Sequence, residues 1–215
     1  MTGLSLRFAA RSEIGRVRRN NEDAGYAATD LLVVADGMGG HEAGELASAA
    51  TVAAVVAAAA STVGADEVLS QLAEAVITSG EYIADVVAGN RDLAGMGTTM
   101  TVVALREDRI AMAHVGDSRA YVIRDGRITQ LTKDHTVVQE LLDQGRISPD
   151  EIDGHPQRAF VTKALMGSDQ HERPDFHEVA HEDGDIFLLC SDGLVGVVEE
   201  KKIIKSIESH GVSEQ

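Results

Sequence analysis

Tryptophan is absent from this 215-residue chain, cysteine occurs once, proline three times, and aromatic residues make up 3%. A single cysteine excludes a disulfide framework. Cations are scarce as well: 19 Lys+Arg face 35 Asp+Glu, a net charge of −16. So acidic a surface repels phosphate backbones, which argues against nucleic-acid binding through a general basic face. Long hydrophobic runs are missing too. The most apolar stretch, Leu46 to Ala60, is mostly alanine with Glu45 at its edge, and reads as too short and too weakly apolar for a bilayer. The N-terminus lacks the apolar core of a signal peptide. The chain therefore reads as cytoplasmic, or as the cytoplasmic part of something larger. Disorder is excluded by 44% hydrophobic residues in patterned runs.

The apolar, β-branched run Leu31–Ala35 predicts a buried strand ending at Asp36, with Gly37-Met38-Gly39-Gly40 as a turn. Glu42 to Ala60 reads as a helix rich in alanine and free of proline. Asp66 is placed to cap a second helix to about Ala88, with Val68, Leu72, Val76 and Ile83 on one face. Strands are expected at Thr98–Leu105, Arg109–Val115, Ala120–Ile123 and Arg127–Leu131, the last two joined by Asp125-Gly126, and together they predict an antiparallel meander. A helix over Val137–Gln144, a short helix capped by Ser148, a strand over Ile186–Cys190 and a helix over Lys202–Ser209 follow. The fold class is α+β. The polar, His-rich segment from Asp134 to Gln170 reads as an insertion beside a site.

Three apolar runs end alike: Val34-Ala35-Asp36-Gly37, Val115-Gly116-Asp117-Ser118 and Cys190-Ser191-Asp192-Gly193. One aspartate after a strand is ordinary turn chemistry. Three on strands of one core imply converging carboxylates, which need cations to stay ionised. An all-oxygen donor set selects Mg²⁺ or Mn²⁺ over Zn²⁺. Asn21-Glu22-Asp23 is a further acidic element, and Arg18 just upstream suits bidentate binding of a phosphate. Gly37 and Gly193 would let backbone carbonyls approach the ions.

These residues resemble the metal-dependent protein serine/threonine phosphatases, the protein phosphatase 2C family, in their bacterial form. The matching motifs run in order: Ile14-Gly15, Arg18 and Asn21-Glu22-Asp23; Val34 to His41; Gly95-Met96-Gly97-Thr98-Thr99; His114 to Arg119; Leu131 to His135; and Cys190 to Leu194. The resemblance implies a four-layer α-β-β-α sandwich, with two central, mostly antiparallel sheets flanked by helices, over a single catalytic domain spanning 1–215. It implies two Mn²⁺ or Mg²⁺ ions with a possible third. Asp36 would bridge both, the Gly37 carbonyl would ligate one, Glu22 and Asp23 would belong to the same centre, and Asp117 with Asp192 would form the third site. Arg18 would bind the substrate phosphate, and 134–170 would be a flap. The implied reaction is dephosphorylation of phosphoserine and phosphothreonine in proteins by a water activated by the metals. The implied substrates are targets of a cognate kinase, and the implied state is a monomer. Cys190 reads as core: a cysteine nucleophile requires an arginine six residues on, where Gly196 stands.

Two features depart from the family pattern. Met38 occupies the position of a histidine proposed in eukaryotic relatives as general acid, and His41 is the nearest histidine. No Asp-Asn pair of a closing C-terminal strand is present, so the chain is expected to be truncated by a strand and one ligand. The alternative reading is a weakly active or non-catalytic signalling domain of the same fold.

Overall fold

The computed structural model describes residues 4–39, 42–61, 67–166 and 173–210. In chain order the elements are β1 (Asp23–Ala27), β2 (Leu31–Met38), α1 (Glu42–Ser61), α2 (Val68–Gly89), β3 (Gly97–Thr98), β4 (Met100–Arg106), β5 (Arg109–Val115), β6 (Arg119–Arg124) and β7 (Arg127–Gln130). They continue with α3 (Val137–Asp143), β8 (Leu165–Met166), β9 (Asp175–Val179), β10 (Ile186–Cys190), α4 (Asp192–Val195) and α5 (Glu200–His210). A seven-stranded sheet has the order β8-β3-β2-β4-β5-β9, with β1 also paired to β2, and a three-stranded sheet has the order β10-β6-β7. Every strand pair described is antiparallel.

The alternation along β4 explains the layering. Met100, Val102 and Ala104 face the α1–α2 hairpin, while Val103 and Leu105 face the second sheet. Both faces are buried, so the strand reads as a continuous apolar run. The layer between the sheets holds Val103, Leu105, Ile110, Met112 and Ala120, with Phe187 and Leu189 of β10 against them. Ala43, Ala47, Val55 and Ala59 of α1 are buried, and α5 lies against β7 on the far side. The order α-β-β-α agrees with the expected sandwich.

Several expectations need correction. The first strand does not stop at Asp36. It runs on to Met38, because Gly37 and Met38 pair with Thr98 and Gly97. The predicted strand over 98–105 is β3 and β4 interrupted at Thr99, whose amide still donates to the Asp36 carbonyl at 2.9 Å. The middle of the chain is not one meander: β4–β5 belong to the large sheet and β6–β7 to the small one. The chain crosses between sheets at Gly116-Asp117-Ser118. Sequence reading missed β1 and β9, both with exposed positions. By length and composition α1 does qualify as a span (Ala43–Ser61, mean hydropathy 1.6), because the helix extends beyond the apolar run at both ends. In the fold it packs onto β2 and α2. Asp66, the expected cap, and His41 lie outside the described residues, as do 167–170 of the flap segment.

Candidate metal centre

The antiparallel register of β1 and β2 sets Asp23 directly opposite Asp36. Asp117 arrives on the crossover between the sheets, and Asp192 starts α4 straight after β10. Four carboxylates from four segments thus meet at one end of the sandwich. Burial first, then the charges of Asp23, Asp192 and Asp117 and a hydrogen bond with Asp23, push the Asp36 carboxyl up to about 8. Burial, then Asp192 and Asp134, push Asp117 up to about 6. Carboxylates that resist ionisation for these reasons are a site short of positive charge. Among the described residues, no three acidic, histidine or cysteine side chains close on one point as a finished ligand shell. The Asp36 carboxyl shares a hydrogen bond with Asp23, and Asp192 and Asp117 stand within reach of it as charges. The donor chemistry, all oxygen and mostly carboxylate, fits hard divalent ions.

The backbone of Asp36 is pinned on several sides. Its amide donates to Thr99 Oγ1 at 2.9 Å, and its carbonyl accepts the Thr98 hydroxyl at 2.9 Å as well as the Thr99 amide. Thr99 Oγ1 also meets Ser118 Oγ at 2.8 Å, which links the Asp36 strand to the residue after Asp117. Ser191 Oγ donates to Asp23 Oδ2 at 2.7 Å, joining β1 to the start of α4. Gly116 holds the crossover: at φ +108, a Cβ there would sit 2.5 Å from Thr99. Its amide donates to His135 Nδ1 at 3.0 Å, and its carbonyl accepts the His135 amide at 2.8 Å. Thr98, Thr99, Ser118, Ser191 and His135 carry no assigned role in the sequence analysis, although all five lie inside the motifs quoted above.

The remaining expected residues divide. The Glu22 carbonyl accepts the Gly37 amide at 3.0 Å and the Ser48 hydroxyl at 2.6 Å. The Glu22 side chain lies against Gly44 of α1 and receives Asn20 Nδ2 at 3.2 Å. Gly37 is required by packing, since a Cβ would overlap the Gly44 backbone, whereas a Cβ at Gly193 would come no closer than 3.6 Å to Ser191 Oγ. Arg18 is exposed, and no hydrogen bond or ion pair holds it among the described residues. Cys190 is buried, and burial pushes its thiol up to about 12, as expected of a core residue.

The protein phosphatase 2C family model matches residues 16–210. The serine/threonine protein phosphatase PstP of Mycobacterium tuberculosis is 45% identical over 211 residues, which cover 98% of this chain and 40% of that protein. The chain thus spans about 40% of the length of its mycobacterial relative. The serine/threonine phosphatase stp of Listeria monocytogenes is 34% identical over 207 residues, covering 93% of this chain and 82% of that one. A crystal structure of the M. tuberculosis enzyme superposes with a TM-score of 0.91 at 44% identity, over 97% of this chain and 88% of that chain. Its catalytic domain in complex with two manganese ions gives 0.86 at 43% identity, over 95% and 85%. On this fold, this matched length and these identities, the chain belongs to the protein phosphatase 2C family.

Proposed function

We propose that this chain hydrolyses phosphoserine and phosphothreonine esters in proteins. The observation that carries the reading is the meeting of Asp23, Asp36, Asp117 and Asp192 at one end of the sandwich, an all-oxygen site short of positive charge. Asp36 and Asp23, with Asp192 and the Gly37 carbonyl, would hold two Mn²⁺ or Mg²⁺ ions, and Asp117 with Asp192 a third. Glu22, just before β1 and against Gly44 of α1, would belong to the same centre. Bound there, the ions would supply a Lewis acid to activate water and to neutralise phosphate charge. The relative solved with two manganese ions supports this assignment.

The chain's own groups do the rest. Arg18 offers a planar pair of N–H donors to non-bridging phosphate oxygens, where charge spreads during transfer. The Thr98 and Thr99 hydrogen bonds keep Asp36 from shifting as ligands exchange. Among the described residues, His114 and His135 are already committed: His135 accepts the Gly116 amide, and His114 Nε2 faces the Lys133 carbonyl at 3.1 Å. Neither is free to protonate the leaving alkoxide. The segment 134–170 would flank the site as a flap. The implied substrates are products of a serine/threonine kinase in the same compartment, and the lone buried thiol suits the cytoplasm.

The test is phosphate release from a phosphothreonine peptide with and without Mn²⁺, beside Asp36→Asn. Turnover should need Mn²⁺ and fall about a thousandfold or more in the variant, the order expected when a central charge-stabilising group is lost. Metal-independent turnover, or full activity in the variant, would overturn the mechanism. Metal binding without turnover would favour the signalling-domain reading.

A further inference from the structure

The charge of the chain is unevenly distributed. Residues 4–21 carry five arginines (Arg7, Arg11, Arg16, Arg18, Arg19) and one acid, Glu13, a net of +4, which leaves −20 for the remainder. Arg11 pairs with Glu13. Arg16, Arg18 and Arg19 are exposed and have no hydrogen-bond or ion-pair partner among the described residues. In a chain with 35 acids, cations left unpaired contribute little to folding.

The loop that carries them is anchored at its base. Asn21 Nδ2 donates to Ser12 Oγ at 2.6 Å and closes the loop between them, while Asn21 Oδ1 accepts the Asp23 amide at 3.1 Å. Gly15 turns the tip at φ +71, and Val17 beside it is 93% exposed. The base of the loop runs into Glu22, whose carbonyl is held by Gly37 and Ser48. The loop therefore stands at the rim of the carboxylate site. Arg19 and Arg16 precede Asp23 by four and seven residues, so they lie at most about 14 and 25 Å of chain from it.

We propose that this loop selects the substrate class of the site: phosphopeptides with carboxylate side chains within a few residues of the phosphorylated one. The inference rests on the phosphatase reading. The acidic body of the protein repels such peptides, and a cationic rim inverts the field where they must enter. With Arg18 assigned to the phosphate, Arg16 and Arg19 present guanidinium forks to carboxylates on the flank.

The experiment compares kcat/KM for three matched phosphothreonine peptides with acidic, neutral or basic flanks, in Mn²⁺ at low and high salt. It uses the wild-type protein, Arg16→Glu/Arg19→Glu, the milder Arg16→Gln/Arg19→Gln, and Arg127→Glu on β7, which alters net charge as much as the Gln pair does. The acidic peptide should be preferred over the neutral one by about fivefold at low salt, as expected for two exposed ion pairs. The preference should shrink in high salt. It should vanish in the Gln pair, reverse in the Glu pair and persist in Arg127→Glu. Equal kcat/KM for acidic and neutral peptides, or a preference that survives both loop variants, overturns the proposal and leaves the phosphatase reading standing. Failure to release phosphate from any peptide overturns both.

Discussion

The hydroxyl of Thr99 accepts the Asp36 amide and meets Ser118, while its own amide returns a bond to Asp36, so one residue ties the segment of Asp36 to that of Asp117. Thr99→Val keeps the shape and leaves buried partners unmet. It should cost about 1–3 kcal/mol in denaturant unfolding and lower kcat/KM about tenfold, whereas Thr99→Ser should retain most of both. A fully active valine variant would show that the hydroxyl does not position Asp36. His114 provides a pH test. It is buried, 5.0 Å from the His135 ring, and burial, then His135, pull it down to about 4 from an ordinary 6.5. As pH falls below 6.5, the unfolded chain takes up a proton that the fold resists. Stability therefore declines towards pH 4 and levels off below it, by up to about 3 kcal/mol. Chemical unfolding at several pH values should show a shallower slope in His114→Asn. The acidic residues of the site were legible in the sequence, because an aspartate after an apolar run is conspicuous. Thr99 was not, since threonine in a strand reads as an ordinary β-former.

Strands and turns hold those residues in register. Arg124 of β6 grips Asp185, at the turn before β10, through two 2.6 Å contacts, and reaches Glu182 at 2.6 Å. The Arg124 hydrogen bond keeps the Asp185 carboxyl below its ordinary 3.8. A depressed carboxylate contributes stability that is present above pH 4 and lost as the pH falls through its folded value. Arg124→Gln should therefore raise the pH midpoint of acid unfolding followed by circular dichroism, and an unchanged midpoint would remove the pair from the account. The interior strands were readable because two buried faces give unbroken apolar runs, as in β4 and β5. Edge strands were not: β1 carries Gly25 mid-strand, and β9 exposes His177 and Glu178. Nor does sequence proximity reveal that β5 and β6 part company at Gly116. Only the positive φ and the contact with Thr99 show why that glycine turns the chain.

For the molecule as a whole, −16 says little by itself; the proposed function rests on a few carboxylates and one arginine-rich loop. Ions that bind only the folded form stabilise it by mass action, about 2.7 kcal/mol at a hundred times Kd. Mn²⁺ should therefore raise Tm, and Asp36→Asn should abolish most of the rise; a Tm indifferent to Mn²⁺ would contradict the metal centre. The two-sheet construction has a further consequence. Asp23 and Asp36 ride on the large sheet, Asp192 follows a strand of the small one, and Asp117 lies on the bridge between them. The site is thus the open end of a caliper whose jaws are the sheets, and the inter-sheet layer sets its gauge. Met112, 1% exposed in that layer, touches none of the carboxylates' hydrogen bonds. Met112→Ala should nonetheless weaken Mn²⁺ affinity measured by calorimetry, because a core that closes by a fraction of an ångström resets the distance between carboxylates a strand's length away.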